Sequence, residues 1–203
     1  MEAHIDTHYS PGELREISDE LVTIGVLTKA EATQNEPLDA IEIDFLDLND
    51  LLQPAFSRLV SFSNDSRKGW FDQSETDYFY EWFALQLLRG CPLRHYLPTC
   101  QEAEKGHLVL RAESASIIID YQSLNHPEFI ERLVAGVNSL LYQHGFEVGY
   151  YELVGLDEIT WFLLLTPNQY EHLLHNRLVY FADVEYPEVE AWRRTLRKED
   201  LPF

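Results

Sequence analysis

The chain predicts an α+β fold, an antiparallel or mixed sheet of about four to five strands with helices packed on it and a helical N-terminal part. Three observations carry that expectation. Apolar residues first recur at helical spacing, as in Leu14, Ile17, Leu21 and Ile24. Strand-like segments then come in pairs close enough to be hairpins. Helical patterns fall between the pairs and not between single strands, which disfavours an all-parallel sheet.

Ser10-Pro11-Gly12-Glu13 opens the first helix, because serine caps, proline suits the first helical position and Glu13 can return a bond to the cap. Gly25 ends it, and Thr28-Lys29-Ala30-Glu31 repeats the capping pattern for a shorter helix. Ile41, Ile43 and Phe45 alternate with Glu42 and Asp44, the period of a half-buried strand. Leu48, Leu51 and Leu52 fit a helical turn, capped by Asp47 or Asn49. Pro54 interrupts it, and the reading starts a new helix there that continues through Phe56, Leu59 and Val60.

After the loop "SNDSRKG" comes a strong helix, "FDQSETDYFYEWFALQLLRG", with Tyr78, Phe79, Trp82, Phe83 and Leu85 on one broad apolar face. Gly90 and Pro92 stop it. Residues 91–106 read as irregular. "HLVLRAESASIIIDY" reads as a hairpin turning at Glu113-Ser114, with Ile117 to Ile119 buried. Asn125-His126-Pro127-Glu128 opens an amphipathic helix through Phe129, Leu133, Val137, Leu140 and Leu141, which ends at Gly145.

A second hairpin follows in "FEVGYYELVGLDEITWFLLLT", whose return strand is apolar on both faces and therefore central in its sheet. Pro167 starts the helix "PNQYEHLLHN", and "LVYFADVEY" reads as one more strand. Pro187 opens a terminal helix with Val189, Trp192 and Leu196 inward, and Arg193, Arg194, Arg197 and Lys198 suit its negative C-terminal end. No repeat or low-complexity segment interrupts residues 1–203, so one domain is expected, with residues 63–73 as the alternative boundary.

Composition narrows the function. Hydrophobic residues make up 45% of the 203 positions, enough for a proper core and incompatible with general disorder. The N-terminus lacks a basic segment followed by an apolar one, so no secretory signal is expected. The longest strongly apolar run, "ITWFLLLT", is far shorter than the ~20 residues of a membrane-spanning helix. With only Cys91 and Cys100 present, reduced thiols and a cytoplasmic location are the expectation.

The formal net charge is −20, and residues 1–50 alone hold 13 acidic and 2 basic side chains. Such a field opposes nucleic acid and anionic membrane and favours a basic protein partner. All nine glycines are isolated, so no phosphate-cradling loop is present, and neither G-x-S-x-G nor H-E-x-x-H occurs.

The candidate residues fall into four groups. Glu42, Asp44, Asp47 and Asp50 form a carboxylate row that reads as a solvated recognition surface. Trp70, Phe71 and Tyr80 fall outside the main apolar stripe of their aromatic cluster and suit an interface. Cys91, His95, Cys100 and His107 are zinc-type ligands, but they lack a close cysteine pair. Glu171, His172 and His175 lie within one turn of a helix and need a further ligand from elsewhere. No metal or cofactor is expected.

The leading expectation is thus a non-enzymatic, acidic, cytoplasmic binding protein that meets a basic partner. An immunity protein or inhibitor of a toxin is its most concrete form, by class-level analogy. The alternatives are a metal-assisted enzyme of unfamiliar type and an adaptor that self-associates through its aromatic cluster.

Overall fold

The computed structural model describes residues 8–35, 43–44, 51–52, 55, 58–63, 73–104, 106–121, 127–154, 159–187 and 189. Helices and small antiparallel sheets alternate, giving an α+β architecture. In chain order the elements are β1 (His8–Tyr9), α1 (Pro11–Thr23), α2 (Lys29–Ala32), β2 (Ile43–Asp44), β3 (Leu59–Ser63) and α3 (Gln73–Gly90). Then follow β4 (Thr99–Glu104), β5 (His107–Ala112), β6 (Ala115–Asp120), α4 (Pro127–Gln143), β7 (Gly149–Leu153), β8 (Ile159–Leu165) and α5 (Pro167–His175).

The expected single sheet is corrected to two sheets of three strands, ordered β3-β8-β7 and β4-β5-β6, besides a short β1-β2 pair. Both hairpins form where the sequence places them. They do not join, because the buried faces of α3 and α4 pack between the two sheets in one shared core. That core takes Val60 and Phe62 from β3, Leu108, Leu110 and Ile119 from the β4-β5-β6 sheet, and Phe162 and Leu164 from β8.

A second core lies on the other face of the β3-β8-β7 sheet. It takes Leu163 and Leu165 from β8, Leu14, Ile17 and Leu21 from α1, Leu173 from α5, and Val179, Tyr180 and Phe181. Alternate residues of β8 from Phe162 to Leu165 thus serve different cores, which is why that run is apolar at every position, and β8 pairs with β3 and β7 as the central strand. Each such leucine or phenylalanine contributes about 1.5–3 kcal/mol by leaving water.

The helix starts follow the local chemistry. Ser10, Thr28 and Thr166 each cap through reciprocal bonds with the third helical residue, Glu13, Glu31 and Gln169. Gly25 and Gly145 follow α1 and α4 with φ of +73° and +77°, conformations that glycine adopts without strain. The turn between β5 and β6 falls at Glu113-Ser114, where Glu113 takes φ +51°. Phe129, Leu133, Val137, Leu140 and Leu141 of α4 are all buried.

Several segments differ from their patterning. Leu59 and Val60 belong to a strand, because Val60 and Phe62 point alternately into the core beside β8. Within the stretch expected to be irregular, residues 92–96 form a 3₁₀ turn, Pro92–Tyr96, and residues 99–104 form β4. In β4 only Cys100 is buried, so no alternation announces the strand. Among Ile117, Ile118 and Ile119 only Ile119 is fully inward, and Ile118 is 64% exposed on the outer face. Trp82 is half-exposed on α3, away from the buried Phe83.

"LVYFADVEY" forms no strand but a single bridge, Leu153 to Phe181, supported by backbone bonds from Val154 to Tyr180 and from Ala182 to Glu152. The N-terminal part is helical only in part, since among its described residues β1 pairs with β2. Of the alternative boundary at residues 63–73, positions 64–72 lie outside the described residues, as does the arginine-rich segment 190–203.

The β4-β5-β6 sheet has two lateral edges, and charged side chains blunt both. Glu81 of α3 accepts the Glu102 N–H at 3.2 Å on β4. On β6, Arg132 of α4 donates to the Asp120 carbonyl at 3.1 Å. Such contacts occupy backbone groups that would otherwise pair with another chain.

Candidate functional site

The carboxylate row is placed only in part. The Asp44 backbone lies in β2 opposite His8. Glu42, Asp47 and Asp50 lie outside the described residues, as do Trp70 and Phe71. Tyr80 is on α3, in the stretch where the backbone alone is described.

The cysteine and histidine set holds no metal-type cluster among the described residues. Cys91 is buried just after α3, and its thiol donates to the Leu88 carbonyl at 3.2 Å, satisfying one of the carbonyls orphaned at the helix end. Cys100 is buried in β4, and both cysteines are free thiols. Burial pushes the Cys91 thiol up to about 11. Burial and then the Glu81 charge push Cys100 up to about 12. Held as neutral thiols near pH 7, neither is prepared as a nucleophile or metal ligand.

His95 is exposed beside Arg94, whose Nε lies 3.3 Å from its Nε2. His107 sits on β5 with Nδ1 2.7 Å from Asp120 Oδ1 and Nε2 3.6 Å from Glu104 Oε1. Beside it, the Tyr121 hydroxyl donates to the Glu102 carboxylate. Among the described residues no group of three or more His, Cys, Asp or Glu side chains is arranged to hold a metal ion.

The fourth set, Glu171, His172 and His175, separates on α5. Glu171 and His175 are exposed. His172 turns toward α1, with Nε2 2.7 Å from Glu20 Oε1. Gln169 adds a bond from its Nε2 to the Ile24 carbonyl at 2.9 Å. These two contacts fasten α5 to the C-terminal half of α1. His172 therefore has a structural partner 152 residues away, which the sequence spacing could not reveal.

The same helix contributes to a cluster that spacing missed. Tyr151 of β7 and Tyr170 of α5 stack with ring centroids 4.3 Å apart and planes 19° apart. Phe181 lies against Tyr170 at 4.5 Å and edge-on to Tyr151 at 6.2 Å. The Tyr170 hydroxyl lies 3.2 and 3.4 Å from the two oxygens of Asp183, which is exposed.

Burial first, and then the Asp183 charge, push the Tyr170 phenol up to about 12, with Glu171 adding to the effect. Tyr151 is raised by burial and by the same two carboxylates. Two tyrosine rings, half sunk in the second core, thus end at a negatively charged rim. Strand β7, helix α5 and the segment after it each supply part of this site. Only the density of tyrosines in "VGYYELVG" and "NQYEHLL" hints at it in the sequence.

No helix among the described residues is long and apolar enough to cross a membrane. No family model, curated protein or solved structure matches this chain.

Proposed function

We propose that the protein is a non-enzymatic binding protein that engages a basic partner protein through acidic surface, in the manner of an immunity protein or toxin inhibitor. The observation that carries this reading is the excess of 35 carboxylates over 15 Lys and Arg side chains. A field of that size speeds approach of a cationic surface and repels phosphate-rich ones. The N-terminal quarter, with Glu42, Asp44, Asp47 and Asp50, is the most acidic segment and the first candidate for contact. Trp70, Phe71 and Tyr80 would supply its apolar anchors. A cytoplasmic setting fits two buried thiols that are not cross-linked.

Affinity capture with mass spectrometry, followed by kinetics on the purified pair, tests the reading. The expected partner is basic, and association slows as salt rises. Glu42→Gln with Asp44→Asn slows association further and flattens its salt dependence. A partner that is neutral or acidic, or a rate indifferent to both salt and substitution, would refute the proposal.

A further inference from the structure

The two three-stranded sheets differ in how they are covered. Both faces of β3-β8-β7 lie against a core, whereas β4-β5-β6 turns one face inward, through Leu108, Leu110 and Ile119. Strand pairing orders the outer face in rows across the strands. Arg111 is exposed at one end, and Val109 and Ile118 lie side by side in the middle, with Ile118 64% exposed. Glu104, His107 and Asp120 make the row at the other end. There the His107 ring gathers both carboxylates, 2.7 Å from Asp120 and 3.6 Å from Glu104. The face thus carries a cation at one end, two carboxylates at the other, and β-branched apolar side chains between them. The lateral edges carry contacts from Glu81 and Arg132 that oppose strand addition, so the face is the surface left for association.

We propose that this outer face is a dimer contact, and that its occupant is the same face of a second copy of the chain. The order of charge along β5 carries the argument. Arg111 and His107 are four residues apart, about 14 Å, with Val109 midway. Two such faces can stack about a two-fold axis that runs either along the strands or across them. An axis along β5 sets Arg111 upon the second copy's arginine and carboxylates upon carboxylates, which is repulsive. An axis across the strands, through Val109 and Ile118, reverses one copy end for end. Arg111 of each copy then lies over Glu104 and Asp120 of the other, twice in one dimer. Val109 and Ile118 meet their own counterparts at the axis and exclude water from the middle. The face is therefore complementary to itself in the second arrangement and not in the first. This association is separate from the basic partner and does not depend on it. A contact of this extent belongs to the small interface class, so the dimer is weak, with a Kd on the order of 100 μM.

Sedimentation equilibrium of the full chain tests this at about 0.15 M salt, where repulsion between two copies of net charge −20 is largely screened. A monomer–dimer equilibrium is expected. Ile118→Asp and Arg111→Asp should each weaken it about tenfold or more, and both should keep the monomer's melting temperature, as surface substitutions do. Arg111→Asp combined with Glu104→Gln and Asp120→Arg exchanges the two charged ends and should restore the dimer. A general loss of folding cannot produce that rescue. A chain that stays monomeric at about 1 mM overturns the proposal. So does a dimer indifferent to Ile118→Asp and Arg111→Asp, or one that the triple variant fails to recover. If the chain is monomeric and Ile118→Asp instead abolishes capture of another protein, the face belongs to that protein and not to a second copy. The basic-partner reading stands or falls separately, on the charge of the captured protein.

Discussion

The hydroxyl of Tyr150 donates a 2.9 Å hydrogen bond to the carbonyl of Leu87, joining strand β7 to the last turn of α3 across 63 residues of sequence. The bond answers two needs at once. A helix end leaves carbonyls without intrahelical partners, and a buried phenol needs an acceptor. Gly90 makes the approach possible, because a Cβ there would stand 2.9 Å from Tyr150 Oη and 3.5 Å from Val60 Cγ2.

Tyr150→Phe should therefore destabilise the fold by about 1–3 kcal/mol, since it leaves a buried carbonyl unsatisfied. Gly90→Ala should also destabilise, although alanine favours a helix by up to about 1 kcal/mol. Urea denaturation of the double variant is expected to show less loss than the sum of the singles. Strict additivity would mean that the glycine and the phenol do not meet.

Gly136 of α4 lies over Ile119, and a Cβ there would come 2.9 Å from Ile119 Cδ1 and 3.3 Å from its Cγ1. Ile119 is buried, so its side chain has little room to yield. Overpacking costs about 1–3 kcal/mol and should outweigh the helix-propensity gain of Gly136→Ala. Ile119→Val removes the closest methyl. The Gly136→Ala variant should lose less stability in that background than alone, as read from denaturation midpoints.

The two thiols give an alkaline signature. Their folded values are about 11 and about 12, against an ordinary 9.0. A raised folded value means the native state keeps protons that the unfolded state releases. The stability tied to these groups is thus fully present below pH 9.0 and is lost as pH climbs through 11 to 12. Iodoacetamide near neutral pH should leave both cysteines unmodified in the native protein and label both in denaturant. Rapid native labelling would show that one of them is open to solvent as a thiolate.

Leu97 follows the 3₁₀ turn in a left-handed conformation, φ 48°, and is 86% exposed. A branched side chain pays about 1–2 kcal/mol to sit there, and this one recovers little of it by burial. Leu97→Asn or Leu97→Gly should raise thermal stability, by about 0.5–1 kcal/mol once the entropy of glycine is set against the relief. A drop in melting temperature for both would show that the leucine is held by packing.

Much of this architecture was legible because its causes are local. The capping boxes at Ser10 and Thr28 need only residues three apart. The Glu113-Ser114 turn needs two apolar arms around two residues. Even the central place of β8 is written in its run "WFLLL", since a strand buried on both faces needs apolar residues at successive positions. Strand β4 was invisible for the opposite reason, being a lateral strand with one buried side chain. The helical spacing of Leu59 and Val60 has a local cause, since Leu59 N bonds the Ala55 carbonyl in one turn before the chain straightens into β3.

The candidate sites divide in the same way. Residue types and spacings brought Cys91, Cys100, His107 and His172 forward, yet the two thiols are buried in the core, and His107 and His172 pair with Asp120 and Glu20 of other elements, which spacing cannot encode. The sequence by itself determined the helices α1, α3, α4 and α5, the β5-β6 and β7-β8 hairpins and the sign of the net charge, because these depend on neighbours along the chain. Tertiary structure alone decided that the hairpins go to separate sheets, with α3 and α4 buried between them. It also brought Tyr151, Tyr170 and Asp183 to one rim. A hairpin can extend at its edge or cover a helix with its face, and the choice rests on which apolar faces elsewhere must also leave water.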